Sequence, residues 1–79
     1  MILLNRLKEI NIESQLNGKT FLEVMCVDGD VIRGYYRGYT SALDNEPEIA
    51  ELDIMTTYGQ YTGIYETEIK EIKVIENVI

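Results

Sequence analysis

The side chains that could do chemistry here are mainly carboxylates and phenols. The chain carries 14 Asp and Glu, 6 tyrosines, 1 cysteine and no histidine. Without histidine no Ser-His-Asp or Cys-His nucleophile can be assembled. The single thiol, Cys26, alternates in phase with Leu22 and Val24. That phase predicts a buried, inert cysteine, since no neighbouring base activates it. One cysteine closes no internal disulfide and holds no structural zinc. Asp44, Asn45, Glu46 and Glu48 invite a calcium reading, but they lack the spacing of a twelve-residue calcium loop and Pro47 stiffens the segment. They are expected as solvated surface carboxylates. Asp28 and Asp30 flank Gly29 in a tight turn, and the turn accounts for them. No phosphate-cradling loop and no cleft pair of acids can be argued. The residues predict a non-enzymatic protein with no cofactor and no metal.

The charges are unevenly placed. The net charge is -7, yet residues 1–37 balance Arg6, Lys8, Lys19, Arg33 and Arg37 against Glu9, Glu13, Glu23, Asp28 and Asp30. Residues 70–79 balance as well, with Lys70 and Lys73 against Glu71 and Glu76. The whole excess therefore falls in residues 38–69, which hold Asp44, Glu46, Glu48, Glu51, Asp53, Glu66 and Glu68 and no Lys or Arg. Such a block repels phosphate backbones and attracts basic partners, or it serves only to keep a small protein in solution. Tyrosine is both a strand former and a frequent binding anchor. Tyr36 shares strand phase with Ile32 and Gly34 and is expected in the core. Tyr35 and Tyr39 share phase with Arg33 and Arg37 and are expected to face outward. Tyr35, Tyr39, Asp44, Glu46, Glu48, Tyr65 and Glu66 thus make a candidate face for a basic protein partner. Lys19, Arg33, Arg37, Thr40 and Asp44 make the alternative, a nucleic-acid surface. A third possibility is an acidic mimic of nucleic acid.

These side chains must be positioned by a small fold. A chain of 79 residues allows one domain. It has no 18-residue apolar run and no basic-then-apolar leader, so a cytoplasmic protein with no membrane contact is expected. Leu3, Leu4, Leu7 and Ile10 fall at helical spacing, which predicts a helix over residues 2–15 closed by Asn17-Gly18. Strands follow over residues 20–27, 31–41, 49–56, 61–65 and 69–75, joined by turns at Asp28-Gly29-Asp30, residues 43–47, Tyr58-Gly59-Gln60 and residues 66–68. The first strand is apolar on both sides. In residues 49–56, Ala50, Leu52 and Ile54 alternate against Glu51 and Asp53, so that strand is expected to be half-buried. Gly34 and Gly38 inside the second strand suit a strand that bends sharply. The order is a short helix, then five antiparallel strands over residues 19–76. The edge problem of so small a sheet is best solved by closing it into an SH3-like barrel.

The stretch LNGKTFLEVMCVDGD followed by VIRGYYRGYTSALDN resembles the first motif of Sm-like proteins. Gly34, Tyr36, Gly38, Tyr39, Thr40, Leu43 and Asp44 fall at the spacings of the pattern Gly-x-Leu-x-Gly-aromatic-Asp-x-x-Met-Asn. Ile64, Tyr65, Glu66, Ile69 and Ile72 fall on the second motif, Ile-Arg-Gly-x-x-Ile-x-x-Ile. With the leading helix, the resemblance covers nearly the whole chain. It implies a mainly β domain, an N-terminal helix and a strongly bent five-stranded barrel. It also implies homo-oligomerisation, because Sm-like rings pair strand four of one subunit with strand five of the next. The apolar chain end, Ile72, Val74, Ile75, Val78 and Ile79, fits such an edge. The RNA pocket of the family is not matched. Its Asp, stacking, Asn and Arg positions are Thr40, Ala42, Asp44 and Tyr65, and Glu66 replaces the following Gly. Ala42 offers no stacking surface, and the carboxylates oppose an incoming phosphate. The reading is an Sm-type architecture that serves as a protein-interaction or assembly module.

Overall fold

The computed structural model describes residues 1–77, so Val78 and Ile79 lie outside the described residues. Helix α1 runs over Leu3–Ser14 and buries Leu3, Leu7 and Ile10. Those three lie one and two turns apart, which puts them on one stripe. Leu4, expected on the same stripe, is displaced by one position and is 38% exposed. The helix ends earlier than Asn17-Gly18. Gln15 adopts the left-handed conformation, at φ 53°, and donates its N–H to the Asn11 carbonyl at 3.0 Å. Asn17 instead shapes the turn into the sheet, accepting the Lys19 N–H on Oδ1 at 2.8 Å.

The sheet comprises β1 (Thr20–Cys26), β2 (Val31–Thr40), β3 (Glu51–Thr56), β4 (Tyr61–Tyr65) and β5 (Ile69–Asn77). A 3-10 turn over Ala42–Asp44 follows β2, and another over Glu66–Glu68 joins β4 to β5. Gly29 at φ 97° and Gly59 at φ 79° close the two hairpin turns in a conformation that costs glycine nothing. All strand pairs are antiparallel, in the order β4-β3-β2-β1-β5. The fold is therefore mainly β with one N-terminal helix. The sheet is open. Among the described residues β4 and β5 do not pair, so the closure expected from the edge argument is absent and these strands are the two edges.

One face of the sheet forms the core. Leu22, Val24, Leu52, Ile54, Ile64 and Ile72 meet the leucine and isoleucine stripe of α1. Cys26 is buried with them. The outer face of β1 is half-buried, with the Phe21 ring meeting Tyr35 edge-on at a centroid distance of 5.0 Å.

Two positions depart from simple alternation. Tyr36 lies opposite Ile54 and Gly38 opposite Asp53, so Arg37 is an extra residue in β2. A bulge of one residue reverses the phase beyond it. Tyr39, expected outward, therefore lies opposite Leu52 and packs against the core beside Tyr36. Asp53 is the second departure. It is on the outer face of β3, yet it is only 8% exposed.

Candidate functional site

Directly opposed residues of an antiparallel pair share a face. Gly38, Asp53 and Gly63 therefore form one row across β2, β3 and β4, and Thr40, Glu51 and Tyr65 form the next. Gly63 leaves room for the Glu51 carboxyl lying on the sheet, while Gly38 gives the Asp53 carboxyl an ordinary contact. A Cβ at Gly38 would fall 3.8 Å from Asp53 Oδ2, and one at Gly63 would fall 2.5 Å from Glu51 Oε2. Thr40 Oγ1 donates to Asp53 Oδ2 at 3.1 Å, and Asn45 Nδ2 donates to Glu51 Oε1 at 3.2 Å. Burial pushes the Asp53 carboxyl up from 3.8 to about 6; hydrogen bonding and repulsion from Glu51 add to the rise, and the Thr40 hydroxyl opposes it. Asp53 thus keeps its proton in mildly acidic solution. Among the described residues neither carboxylate has a cation at ion-pair distance. The phenol of Tyr36 is also raised, first by its own burial and then by the Asp53 charge.

Neither Glu51 nor Asp53 stood out in the sequence except as the polar side of a half-buried strand. The signal was the pair of glycines opposite Asp53, and it becomes readable only once the register is known. The proposed partner-facing set is partly gathered. The Glu66 N–H donates to the Ala50 carbonyl at 2.8 Å, which brings the end of β4 against the end of the acidic loop. Asp44, Glu46 and Glu48 are exposed in that loop. Tyr65 sits opposite Glu51 and donates its N–H to Glu68 Oε1 at 3.2 Å. Glu66 is already engaged, since its Oε2 accepts the Leu3 N–H at 2.7 Å. Tyr39 is lost to the core, and Tyr35 stands apart on β2 beside Phe21.

The alternative cationic set also divides. Gly18, Lys19, Tyr35 and Arg37 line a shallow hollow of about 320 Å³. Arg37 Nη1 donates to the carbonyls of Gly18 at 2.6 Å and Tyr36 at 3.0 Å, and its guanidinium sits 5.9 Å from the Tyr35 ring centroid. Arg33 is paired with Glu23 at 2.9 Å. Thr40 faces Asp53 and Asp44 accepts the Ser41 hydroxyl at 3.0 Å, so neither joins the hollow.

The two edges of the sheet complete the surface. In β3 and β4, Thr56 N donates to Gln60 O and Glu66 N donates to Ala50 O. Bonded and non-bonded pairs alternate along an antiparallel ladder. Tyr61, Gly63 and Tyr65 therefore occupy non-bonded pairs, and their backbone groups point away from β3; the Tyr65 N–H is taken by Glu68, whereas Tyr61 and Gly63 are exposed. Comparison of the chain with protein-family models, with curated proteins and with solved structures finds no match.

Proposed function

We propose that this chain is a non-enzymatic, Sm-like interaction module that joins other chains, its own copies included, along the open edges of its sheet. One observation carries the reading: among the described residues, β4 is an edge strand whose Tyr61 and Gly63 backbone groups have no strand beside them. Such an edge is a ready template for strand addition. The second edge, β5, is the complementary surface in a copy-to-copy contact.

The Sm-like part of the reading is supported by topology. Four strand spacings would separate β4 from β5 by about 19 Å in a flat sheet. The Glu66–Glu68 turn that connects them spans about 10 Å. The sheet has to curl, and the bulge at Arg37 and the glycine at position 34 lie where the long β2 must bend. The acidic loop at the β3–β4 side favours a basic partner.

Light scattering across a micromolar concentration series tests the reading. The expected result is a species heavier than the 9.1 kDa chain. Tyr61→Pro should dissociate it, because proline removes the outward N–H at the first residue of an edge strand and leaves the pairing to β3 intact. A wild-type chain that stays monomeric throughout, or a Tyr61→Pro variant that assembles like the wild type, would sink the proposal. The Lys19–Tyr35–Arg37 hollow favours a second reading, nucleic-acid binding on the outer face. Micromolar RNA binding that weakens steeply with salt and disappears in a Lys19→Glu/Arg37→Glu variant would establish it instead.

A further inference from the structure

The two edges are not equally accessible. Cys26 N donates to Asp30 O, so alternation along β1 turns the backbone groups of Val24 and Leu22 toward β2. Their opposite numbers on β5, Ile72 and Val74, then point away from β1 toward the position a new strand would occupy. At Ile72 both groups are already taken. Arg6 Nη2, from α1, donates to the Ile72 carbonyl at 2.8 Å. The Ile72 N–H donates to Glu71 Oε1 at 2.9 Å, and Arg6 Nε lies 3.6 Å from that same carboxylate oxygen. The helix that carries Arg6 is held at its start by the Leu3 N–H on Glu66 Oε2 at 2.7 Å. Leu3, Leu7 and Ile10 anchor it to the core.

We propose that α1 is a strap across the β5 edge and that Arg6 is its gate: while its guanidinium occupies the Ile72 carbonyl, β5 cannot accept a strand. The inference rests on the strand-addition reading above and concerns how that surface is controlled. The gate is built to open without unfolding the helix. The side chains of Arg6 and Glu71 are 27% and 45% exposed, so water can replace the contacts between them. Beside them, between α1 and β5, is a notch of about 490 Å³ lined by Met1, Ile2, Asn5, Arg6, Glu9 and Glu71. The guanidinium can swing into it while the three apolar anchors stay in place. A partner strand must displace Arg6, so the apparent affinity of the β5 edge is reduced by the fraction of time the gate is closed. At β4 only the Tyr65 N–H, held by Glu68 Oε1, is taken among the described residues, which leaves Tyr61 and Gly63 open to a strand.

The test uses the full chain with Arg6→Met, which keeps the aliphatic stem and the helix propensity and removes the donor. Circular dichroism first establishes that the variant folds, and Arg6→Lys serves as a second variant that retains the charge. Two quantities are read: hydrogen exchange at the Ile72 amide in dilute solution, and the self-association constant. The gate predicts faster exchange at Ile72 and about tenfold tighter association for Arg6→Met, the scale of one charged hydrogen bond. It predicts a smaller gain for Arg6→Lys. Unchanged or weaker association of Arg6→Met, with a wild type that assembles and a Tyr61→Pro variant that does not, overturns the gate and leaves strand addition standing. A wild type that stays monomeric overturns strand addition itself and the gate with it.

Discussion

Replacing Asp53 by Asn should stabilise the protein at neutral pH and remove a pH dependence that the wild type carries. The Asp53 carboxyl is raised from 3.8 to about 6, because its ionised form is buried beside Glu51. The folded chain therefore holds this proton more tightly than the unfolded chain does. The resulting stability is fully present below pH 4, falls as pH rises from about 4 to about 6, and is absent above that window. A shift of about two units, at about 1.4 kcal/mol each, sets a ceiling of about 3 kcal/mol. Asparagine reproduces the protonated acid: its amide can donate to Glu51 and its carbonyl can accept the Thr40 hydroxyl. Asp53→Asn should thus match the wild type near pH 3.5 and exceed it by about 2–3 kcal/mol at pH 8. With an m-value of about 1 kcal/mol/M for a chain this small, the urea midpoint at pH 8 should move up by about 2 M. The chain has 6 tyrosines and no tryptophan, so circular dichroism or tyrosine fluorescence follows the transition. The quantity to read is the difference between variant and wild type at each pH, since the other carboxylates contribute slopes common to both. A difference that stays flat between pH 4 and pH 7, or a variant less stable than the wild type at pH 8, would refute the account of a raised Asp53 carboxyl.

Two further outcomes follow from the packing. A Cβ at Gly34 would fall 2.6 Å from the Met55 carbonyl oxygen and 2.9 Å from its carbon, so Gly34→Ala must push β2 away from β3. A loss of about 1–3 kcal/mol or more is expected by denaturant titration, whereas Gly38→Ala, whose nearest contact is Asp53 Oδ2 at 3.8 Å, should change stability by less than about 0.5 kcal/mol. Cys26 is buried, and its thiol is raised by that burial and then by Asp28, Glu68 and Asp30. An aromatic disulfide reagent at pH 8 should label it no faster than the protein opens, and a rate matching that of a free thiol would contradict its placement.

Much of the architecture was legible in the residue pattern. The alternation of Leu22, Val24 and Cys26, the stripe of Leu3, Leu7 and Ile10, and the Asp-Gly and Tyr-Gly turns each carry a local signal, and each lies where that signal places it. What the pattern does not carry is the pairing between elements. Alternation says which side of its own strand a residue occupies and nothing about what lies opposite. The bulge at Arg37, which turns Tyr39 inward, is a property of the β2–β3 register. The room for the Glu51 carboxyl is made by Gly63, on the neighbouring strand. Helix stop signals have the same weakness: Asn17-Gly18 tolerates the left-handed conformation, but Gln15 reaches it first, and Asn17 is drawn into the turn before β1.

The acidic segment shows what register does to a functional argument. As a string of residues, the seven carboxylates between positions 38 and 69 read as one surface for a basic partner. In the fold five of them already serve the chain itself. Asp44 accepts the Ser41 hydroxyl, Glu51 the Asn45 amide, Asp53 the Thr40 hydroxyl, Glu66 the Leu3 N–H and Glu68 the Tyr65 N–H. Only Glu46 and Glu48, exposed in the loop before β3, make no hydrogen bond or ion pair among the described residues. Two exposed charges attract and orient a basic partner but supply little affinity, because exposed pairs are worth less than about 1 kcal/mol each. If the module holds another chain tightly, the larger share must come from the unpaired backbone of β4 and the apolar surface beside it. Charge reversal at Glu46 and Glu48 therefore belongs to the rate of encounter, and proline at Tyr61 to the strength of the complex.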